Sequence, residues 1–176
     1  IDNKYPGTSD IILDSVRHIN RTSNSKIPQS ESAKNIMWKP KLFEFSNMFS
    51  YGENNKIDFT NMQGTYGLFA PNASGKSAML DALTYCIFDK CSRSTKGTHV
   101  LNNKKSTYTC KFIFEIKGID YVIERTGSKQ KNTTVKVLVD FYRIIDGKKE
   151  SLNGEARDDT NKEIRKFLGQ YDDFIL

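Results

Sequence analysis

The chain has few of the residues that build disulfide frameworks, metal sites or membrane spans. Its 176 residues include three cysteines, none in a C-x-x-C pair, and two histidines that lie far apart, His18 and His99. This cysteine pattern argues against a disulfide framework and a zinc site, and it favours reduced thiols in an intracellular protein. No apolar run approaches the roughly 20 residues that cross a bilayer, and no apolar leader follows Ile1, so we expect no membrane contact.

What the chain does have is a phosphate-binding motif. Ala70-Pro71-Asn72-Ala73-Ser74-Gly75-Lys76-Ser77 matches the pattern G-x-x-x-x-G-K-[ST] except at its first position. A strand-like run over residues 65–70 precedes it and a helix-like run over residues 78–88 follows it, which is the context that the motif requires. Backbone N–H groups of such a loop surround nucleotide phosphates, and the helix N-terminus adds partial positive charge.

The motif assigns a role to each residue of the loop. Lys76 is expected to reach the β- and γ-phosphates of a nucleoside triphosphate, and the Ser77 hydroxyl is expected to hold Mg²⁺. Alanine stands at positions 70 and 73, where glycine is common, and a positive φ at Ala73 would cost about 1 kcal/mol. The predicted nucleotide-binding residues are Asn72, Ala73, Ser74, Gly75, Lys76, Ser77 and Ala78.

The order of elements predicts an α/β P-loop fold that carries an antiparallel β-subdomain. Short strands are predicted over residues 42–45, 56–59 and 65–70, before the loop. Alternating apolar residues after the helix predict a hairpin over residues 108–125 and a further strand over residues 134–145. A doubly wound nucleotide-binding domain would instead alternate strands and helices.

Within residues 36–176, two helices are predicted from periodicity and capping signals. Thr160-x-x-Glu163 has the form of a capping box and predicts the start of the second helix, which Gly169 can end. The first helix follows the phosphate loop and should pack on the sheet through five apolar residues with helical spacing. These residues are Met79, Leu80, Leu83, Cys86 and Ile87.

The order of elements and the residues of these motifs resemble the N-terminal ATPase segment of the SbcC/SMC group of ABC-type ATPases, from about Lys41 to Leu176. Asn72 matches the asparagine of the group's G-x-N-x-x-G-K-S loops and is the most specific of the similarities. The composition, rich in Asn and Lys, suggests a virus- or phage-encoded relative. Three further segments are similar to the group's "N-F-x-S-Y-G", "LLDAI…LFG" and "Y-x-I-x-R" motifs: Asn47–Gly52, Met79–Phe88 and Tyr121–Arg125.

The resemblance implies a half-head that binds ATP and Mg²⁺. In this group the C-terminal half of the head, distant in sequence, supplies the Walker B acid, and two heads enclose two ATP molecules. The implied partners are therefore the C-terminal half of the same head, a second head, an SbcD-like nuclease and DNA. No apolar run here ends in Asp-Glu, so we assign no catalytic residue and expect this segment alone to hydrolyse ATP poorly.

The ends of the chain suggest a segment of a longer polypeptide. It starts with Ile1 rather than methionine and stops in an apolar run, residues 174–176. We expect residues 1–35 to form an N-terminal helix, over residues 10–19, and a polar linker. Residues 36–176 are expected to form the N-terminal lobe of the head.

Positive charge is concentrated in the middle of the chain. The net charge is +6, and residues 90–136 carry eleven Lys and Arg against three Asp and Glu. A predicted basic loop over residues 127–132 could contact DNA phosphates without reading bases, although an ordinary solvated lysine-rich loop has the same composition. The candidate DNA contacts are Lys104, Lys105, Lys129 and Lys131.

Two other functions fit the same sequence. One is a RecF-like or other ABC-type ATPase that works on DNA without a nuclease partner. The other is a degenerate P-loop domain that acts as a scaffold, which the alanines at positions 70 and 73 suggest.

Overall fold

The computed structural model describes residues 12, 14, 15, 18, 19, 37–131 and 133–175. The chain divides into two compact units, Ile1–Ser32 and Ala33–Leu176. The five described residues of the first unit are helical and exposed. The rest of the helix predicted over residues 10–19, and the predicted linker, lie outside the described residues, so the proposed domain division stays a prediction.

The second unit is built on a six-stranded sheet in the order β2-β1-β3-β4-β5-β6, in which every pair is antiparallel. No helix of the described residues has the length and apolarity needed to cross a membrane. The strands are β1 Trp38–Ser46, β2 Asn55–Asp58, β3 Thr107–Ile116, β4 Ile119–Lys129, β5 Val135–Ile145 and β6 Lys148–Ser151. The helices are α1 Lys76–Phe88, α2 Gly97–Val100, α3 Arg157–Leu168 and α4 Tyr171–Ile175.

The predicted hairpin is confirmed as β3 and β4. Lys117 and Gly118 join the strands with φ of 50° and 81°, the backbone that a tight two-residue turn requires. Alternate residues of β3 point into the core, because side chains of a strand alternate between its faces. The inward residues are Tyr108, Cys110, Phe112, Phe114 and Ile116, and all of them are buried.

Helix α1 packs on the inner face of the sheet, where a buried tyrosine pair joins it to β3. The Tyr85 and Tyr108 hydroxyls are 3.0 Å apart. Burial raises the pKa of Tyr85 to about 12 and raises that of Tyr108 further. Burial also raises the pKa of the Cys86 thiol well above its ordinary value, so Cys86 is a protonated core residue.

A buried arginine closes the C-terminal end of α1. Arg125 of β4 is 1% exposed and donates from Nε to the Cys86 carbonyl at 2.7 Å and from Nη2 to the Ile87 carbonyl at 3.2 Å. Nη2 also donates to Asn161 Oδ1 of α3 at 2.8 Å, and Nη1 lies 3.6 Å from Asp89 Oδ1. One guanidinium therefore satisfies carbonyls that a helix end leaves unpaired and ties α1 to both β4 and α3.

The strand predicted over residues 65–70 is wrong. This run forms no strand, and Tyr66, Leu68 and Phe69 are exposed, Phe69 by 92%. No strand of the described residues pairs with it, and an extended segment without a neighbour cannot place its N–H and C=O groups in a ladder. The apolar run has strand-forming residues but lacks a partner strand within the described chain.

The start of α3 and the buried face of α1 also differ from the sequence prediction. Helix α3 begins at Arg157 with Ala156 as its N-cap, so the predicted capping box is wrong. The Thr160 hydroxyl instead accepts a hydrogen bond from the Gly154 N–H at 3.0 Å. In α1 the predicted apolar stripe is only partly buried, because Leu80 is 58% exposed.

We expect Arg125→Ala to loosen the end of α1, because it leaves two helix carbonyls and the Asn161 side-chain oxygen without their donor. Removing one member of a buried charged network typically costs about 3 kcal/mol. Hydrogen exchange of peptides covering residues 76–88 in the intact protein should become faster. Arg143→Ala is the matched control, since Arg143 pairs with Glu150 on the surface, and it should leave this exchange unchanged. Unchanged exchange in Arg125→Ala would contradict the role assigned to this side chain.

Candidate functional site

The predicted phosphate loop has a left-handed backbone at two residues, and one of them is an alanine. Gly75 has φ of 99°, and Ala73 has φ of 62°, so the alanine carries the left-handed strain that a glycine would avoid. Ala70 is not among the residues with positive φ, and an alanine at that position is therefore unstrained. The Ser74 N–H donates to the Pro71 carbonyl at 3.3 Å and closes the turn.

The N-terminus of α1 is free to receive an anion. Gly75 is its N-cap and provides no side-chain cap, and the first turn contains no acidic residue. The first N–H groups of a helix lack intrahelical partners, and together with the helix dipole they favour phosphate. An open cavity of about 330 Å³ lies here. It is lined by Ser50, Asn72, Ala73, Ser74, Gly75, Lys76, Ser77, Ala78 and Arg93.

The structure thus brings all seven predicted loop residues to one cavity. Lys76 Nζ donates to the Ala70 carbonyl and, at 2.7 Å, to the Pro71 carbonyl, so its ammonium lies over the start of the loop. The Ser77 side chain is exposed at the cavity. A triphosphate fits this arrangement of uncapped N–H groups and one ammonium.

Among the described residues at the cavity, only one side chain is predicted to be a ligand of Mg²⁺. Ser77 supplies a hydroxyl oxygen, and no carboxylate lines the cavity among the described residues. No group of three or more His, Cys, Asp or Glu that could hold a metal occurs in the same part of the chain. Mg²⁺ commonly keeps water and phosphate oxygens as ligands, so a nucleotide-bound ion is compatible with this set.

Arg93 belongs to the cavity, although no motif predicted it. Its Nε lies 2.8 Å from Asp81 Oδ2, and its guanidinium lies 5.8 Å from the centre of the Phe49 ring. Asp81 is 4% exposed and also accepts from the Ser92 N–H at 3.0 Å and the Ser92 hydroxyl at 2.7 Å. Because Asp81 lies in α1, one turn after Ser77, the helix that presents the loop also orients this second cation.

A turn between β1 and β2 completes the wall of the cavity. Ser50 lines it, and the Tyr51 hydroxyl donates to the Gly75 carbonyl at 3.2 Å. Both residues belong to the segment Asn47–Gly52, which the sequence singled out only by its resemblance to a family motif. The structure gives that segment a physical role, since it supports the loop from the side.

The candidate DNA contacts lie at the end of the sheet where β3 begins and β4 ends. Lys105 and Lys129 line one open cavity of about 230 Å³, Lys104 lines a neighbouring one, and Lys131 is exposed in the turn after β4. We call the surface formed by these four lysines the basic end. Their contact with DNA stays a prediction.

One part of the basic-loop prediction is wrong. Gly127, Ser128 and Lys129 belong to β4, so the connection to β5 is shorter than predicted. A Cβ on Gly127 would lie 2.0 Å from the Tyr108 ring, so this glycine allows the strand to pack against that ring.

A family model described as an AAA domain matches residues 44–175, three-quarters of the chain. This chain belongs to the AAA-domain family. The match includes both the phosphate loop and the strands of the basic end.

Curated relatives of this AAA domain include a viral protein and a component of a bacterial nuclease. It is 40% identical over 152 residues to the uncharacterized protein R555 of Acanthamoeba polyphaga mimivirus, covering 82% of this chain and 11% of that protein. It is 31% identical over 144 residues to the SbcC component of the SbcCD nuclease of Bacillus subtilis, covering 77% of this chain and 13% of that protein. The AAA domain therefore spans only a small part of the length of these relatives.

A solved structure of the recombination mediator protein RecF with ATP is similar to this AAA domain at a TM-score of 0.48 and 19% identity. The similarity covers 68% of this chain and 30% of that chain. The family match and the SbcC relatives confirm the resemblance to the SbcC/SMC group, and the family match confirms the P-loop fold class.

We expect Arg93→Ala to weaken nucleotide binding, because it removes a cation from the mouth of the cavity. The side chain is half exposed, and a charged contact screened by water is worth about 1 kcal/mol, or roughly a fivefold loss of affinity. Titration of the intact protein with a fluorescent ATP analogue would measure it. Lys96→Ala is the control, because Lys96 lies on the same loop but does not line the cavity. An ATP affinity of Arg93→Ala equal to that of wild type would contradict the assignment of Arg93 to the nucleotide site.

Proposed function

We propose that this chain is the ATP-binding N-terminal half of an SbcC/SMC-like ATPase head that acts in DNA double-strand break repair or recombination. Mg-ATP binds through residues 70–77. The observation that carries the proposal is the uncapped N-terminus of α1, which opens into a cavity lined by every residue of the predicted nucleotide set. The relatives named as the SbcC component of the SbcCD nuclease support the link to DNA.

Hydrolysis requires residues from elsewhere in the protein. A water attacking the γ-phosphate needs a group that orients it, and the ion needs further oxygen ligands. The carboxylate in α1 nearest in sequence to Ser77, Asp81, is already held by Ser92 and Arg93. In this proposal the C-terminal half of the head and a second head supply the missing groups, and this segment alone is inactive.

Exposed apolar side chains beside the loop support the partnership with the C-terminal half. Four large apolar residues within residues 62–69 are exposed, and Leu80 of α1 is exposed as well. Exposed apolar surface of this kind commonly marks a contact with another chain segment. We propose that the C-terminal half covers these residues. The four are Met62, Tyr66, Leu68 and Phe69.

The basic end is the proposed DNA contact. Its lysines are exposed, which suits salt-dependent contact with the phosphate backbone. An SbcD-like nuclease as a further partner is proposed from the relatives' names. An intracellular location is proposed from the free cysteines together with those names.

Calorimetry with Mg-ATP on the intact protein tests the nucleotide proposal. Wild type should bind ATP, and Lys76→Ala should bind about tenfold or more weakly, because a charge-assisted phosphate contact is worth about 1.5–3 kcal/mol. Lys148→Ala, at the first residue of the edge strand β6 and outside the cavity lining, should bind like wild type. No binding by wild type at millimolar ATP would instead favour the scaffold function.

Exchanging two lysines of the basic end tests the DNA proposal. Lys129→Gln with Lys131→Gln should weaken binding of a duplex and make the slope of log affinity against log salt shallower by about 2, because two phosphate contacts are lost. Lys117→Gln with Lys148→Gln is the charge-matched control, since the β3–β4 turn and the start of β6 lie at the opposite end of the sheet. An equal slope of log affinity against log salt in both double variants would contradict the proposal that the basic end contacts DNA.

A further inference from the structure

The turn between β1 and β2 touches the phosphate loop at its most constrained residue. Tyr51 donates from its hydroxyl to the carbonyl of Gly75, the left-handed N-cap of α1, at 3.2 Å. A Cβ placed on Gly75 would lie 3.3 Å from the same hydroxyl, so the ring is already in contact distance of the loop. The Gly75 carbonyl and the Lys76 N–H share one planar peptide unit, so the orientation of this carbonyl fixes where that N–H points, and it is one of the groups that a phosphate would meet.

The same turn is held from its other side by Asn102. The Asn102 Nδ2 donates to the Tyr51 carbonyl at 3.1 Å, and the Asn102 backbone N–H donates to the Asn47 carbonyl at 2.9 Å. The Phe49 N–H donates to the Val100 carbonyl at 2.7 Å. Three hydrogen bonds therefore fasten residues 47–51 to residues 100–102.

Packing makes this turn a stiff connection rather than a loose loop. Met48 is fully buried and forms a bridge with Leu101, and the Tyr51 and Phe45 rings meet edge to face at 5.1 Å. Asn47 and Phe49 have positive φ, a backbone strain that persists only where the surroundings impose it. Residues 100–102 and Tyr51 are therefore joined through a packed turn with a constrained backbone.

The segment that holds the turn also lines the basic end. Asn102 lines the cavity that contains Lys105 and Lys129 and the neighbouring cavity that contains Lys104. Lys105 Nζ lies 2.6 Å from Glu53 Oε1, so an ion pair adds a further tie between the basic end and the turn. Phosphate oxygens of DNA would compete with this carboxylate for Lys105.

We infer that Tyr51 and Asn102 are positioning residues that connect the basic end to the phosphate loop, so that DNA bound at the lysines changes the affinity of the loop for nucleotide. This inference rests on the proposed ATP binding and DNA contact. Asn102 does not line the nucleotide cavity, and its side chain reaches the phosphate loop through its hydrogen bond to the Tyr51 carbonyl. By thermodynamic linkage, ATP changes DNA affinity by the same factor.

The first experiment is a double-mutant cycle on ATP affinity in the intact protein. Tyr51→Phe and Asn102→Asp should each weaken ATP binding threefold to tenfold, and the double variant should be no weaker than the worse of the two. Asn102→Asp keeps the oxygen that accepts from the Lys104 N–H and loses the donor to Tyr51. Asn103→Ala is the matched control, because it lines the same two cavities at the basic end, and it should bind ATP like wild type.

The second experiment measures the linkage, which a merely structural role would not produce. A saturating 30-base-pair duplex should change ATP affinity at least threefold in wild type and in Asn103→Ala, and by less than half of that factor in Tyr51→Phe. Glu53→Gln, which removes the competitor for Lys105, should bind the duplex more tightly than wild type by about twofold or more.

The outcomes separate this inference from the proposal on which it rests. If wild type binds ATP and Lys76→Ala binds it about tenfold or more weakly, then unchanged affinity in Tyr51→Phe and Asn102→Asp overturns the inference alone. Additive losses in the cycle, or equal DNA linkage in wild type and Tyr51→Phe, also overturn it. If wild type binds no ATP, the proposed function fails and the inference fails with it.

Discussion

The buried guanidinium of Arg125 is the interaction on which the position of the site depends. It joins the last turn of α1 to β4 and α3, and α1 begins at the phosphate loop. The helix is thirteen residues long and rigid, so an anchor at its C-terminal end also orients the N–H groups at its N-terminus. Asp89, with a left-handed backbone, completes the anchor by ending the helix where the arginine can reach it.

The cavity at the loop and the basic end are joined by one short segment of chain. Tyr51 touches the loop, and Glu53, two residues later, pairs with Lys105 at the basic end. The hydrogen bond from Lys105 lowers the pKa of Glu53, so this carboxylate is ionised and competes with any phosphate for the lysine. The β1–β2 turn thus contacts both the phosphate loop and the basic end.

The sequence predicted local features well where the cause is local. Backbone requirements at Lys117-Gly118 and apolar alternation in β3 depend on neighbouring residues, and the hairpin was predicted correctly. The strand over residues 65–70 was not, because a strand requires a partner and no described strand pairs with this run. The start of α3 was misplaced because Thr160 is used by the Gly154 N–H, a contact that capping statistics do not include.

The sequence by itself determined the phosphate loop, its seven candidate residues and the family resemblance, since all of these lie in contiguous chain. Only the tertiary structure decided that Arg93 lines the same cavity, because a buried Asp81 orients it from another element. The contact of Tyr51 with the loop could not be predicted from the sequence either. Tyr51 lies twenty-four residues before Gly75 and meets it through one hydrogen bond. Contacts between distant parts of the chain depend on how the sheet and α1 pack, and no local pattern of residues records that packing.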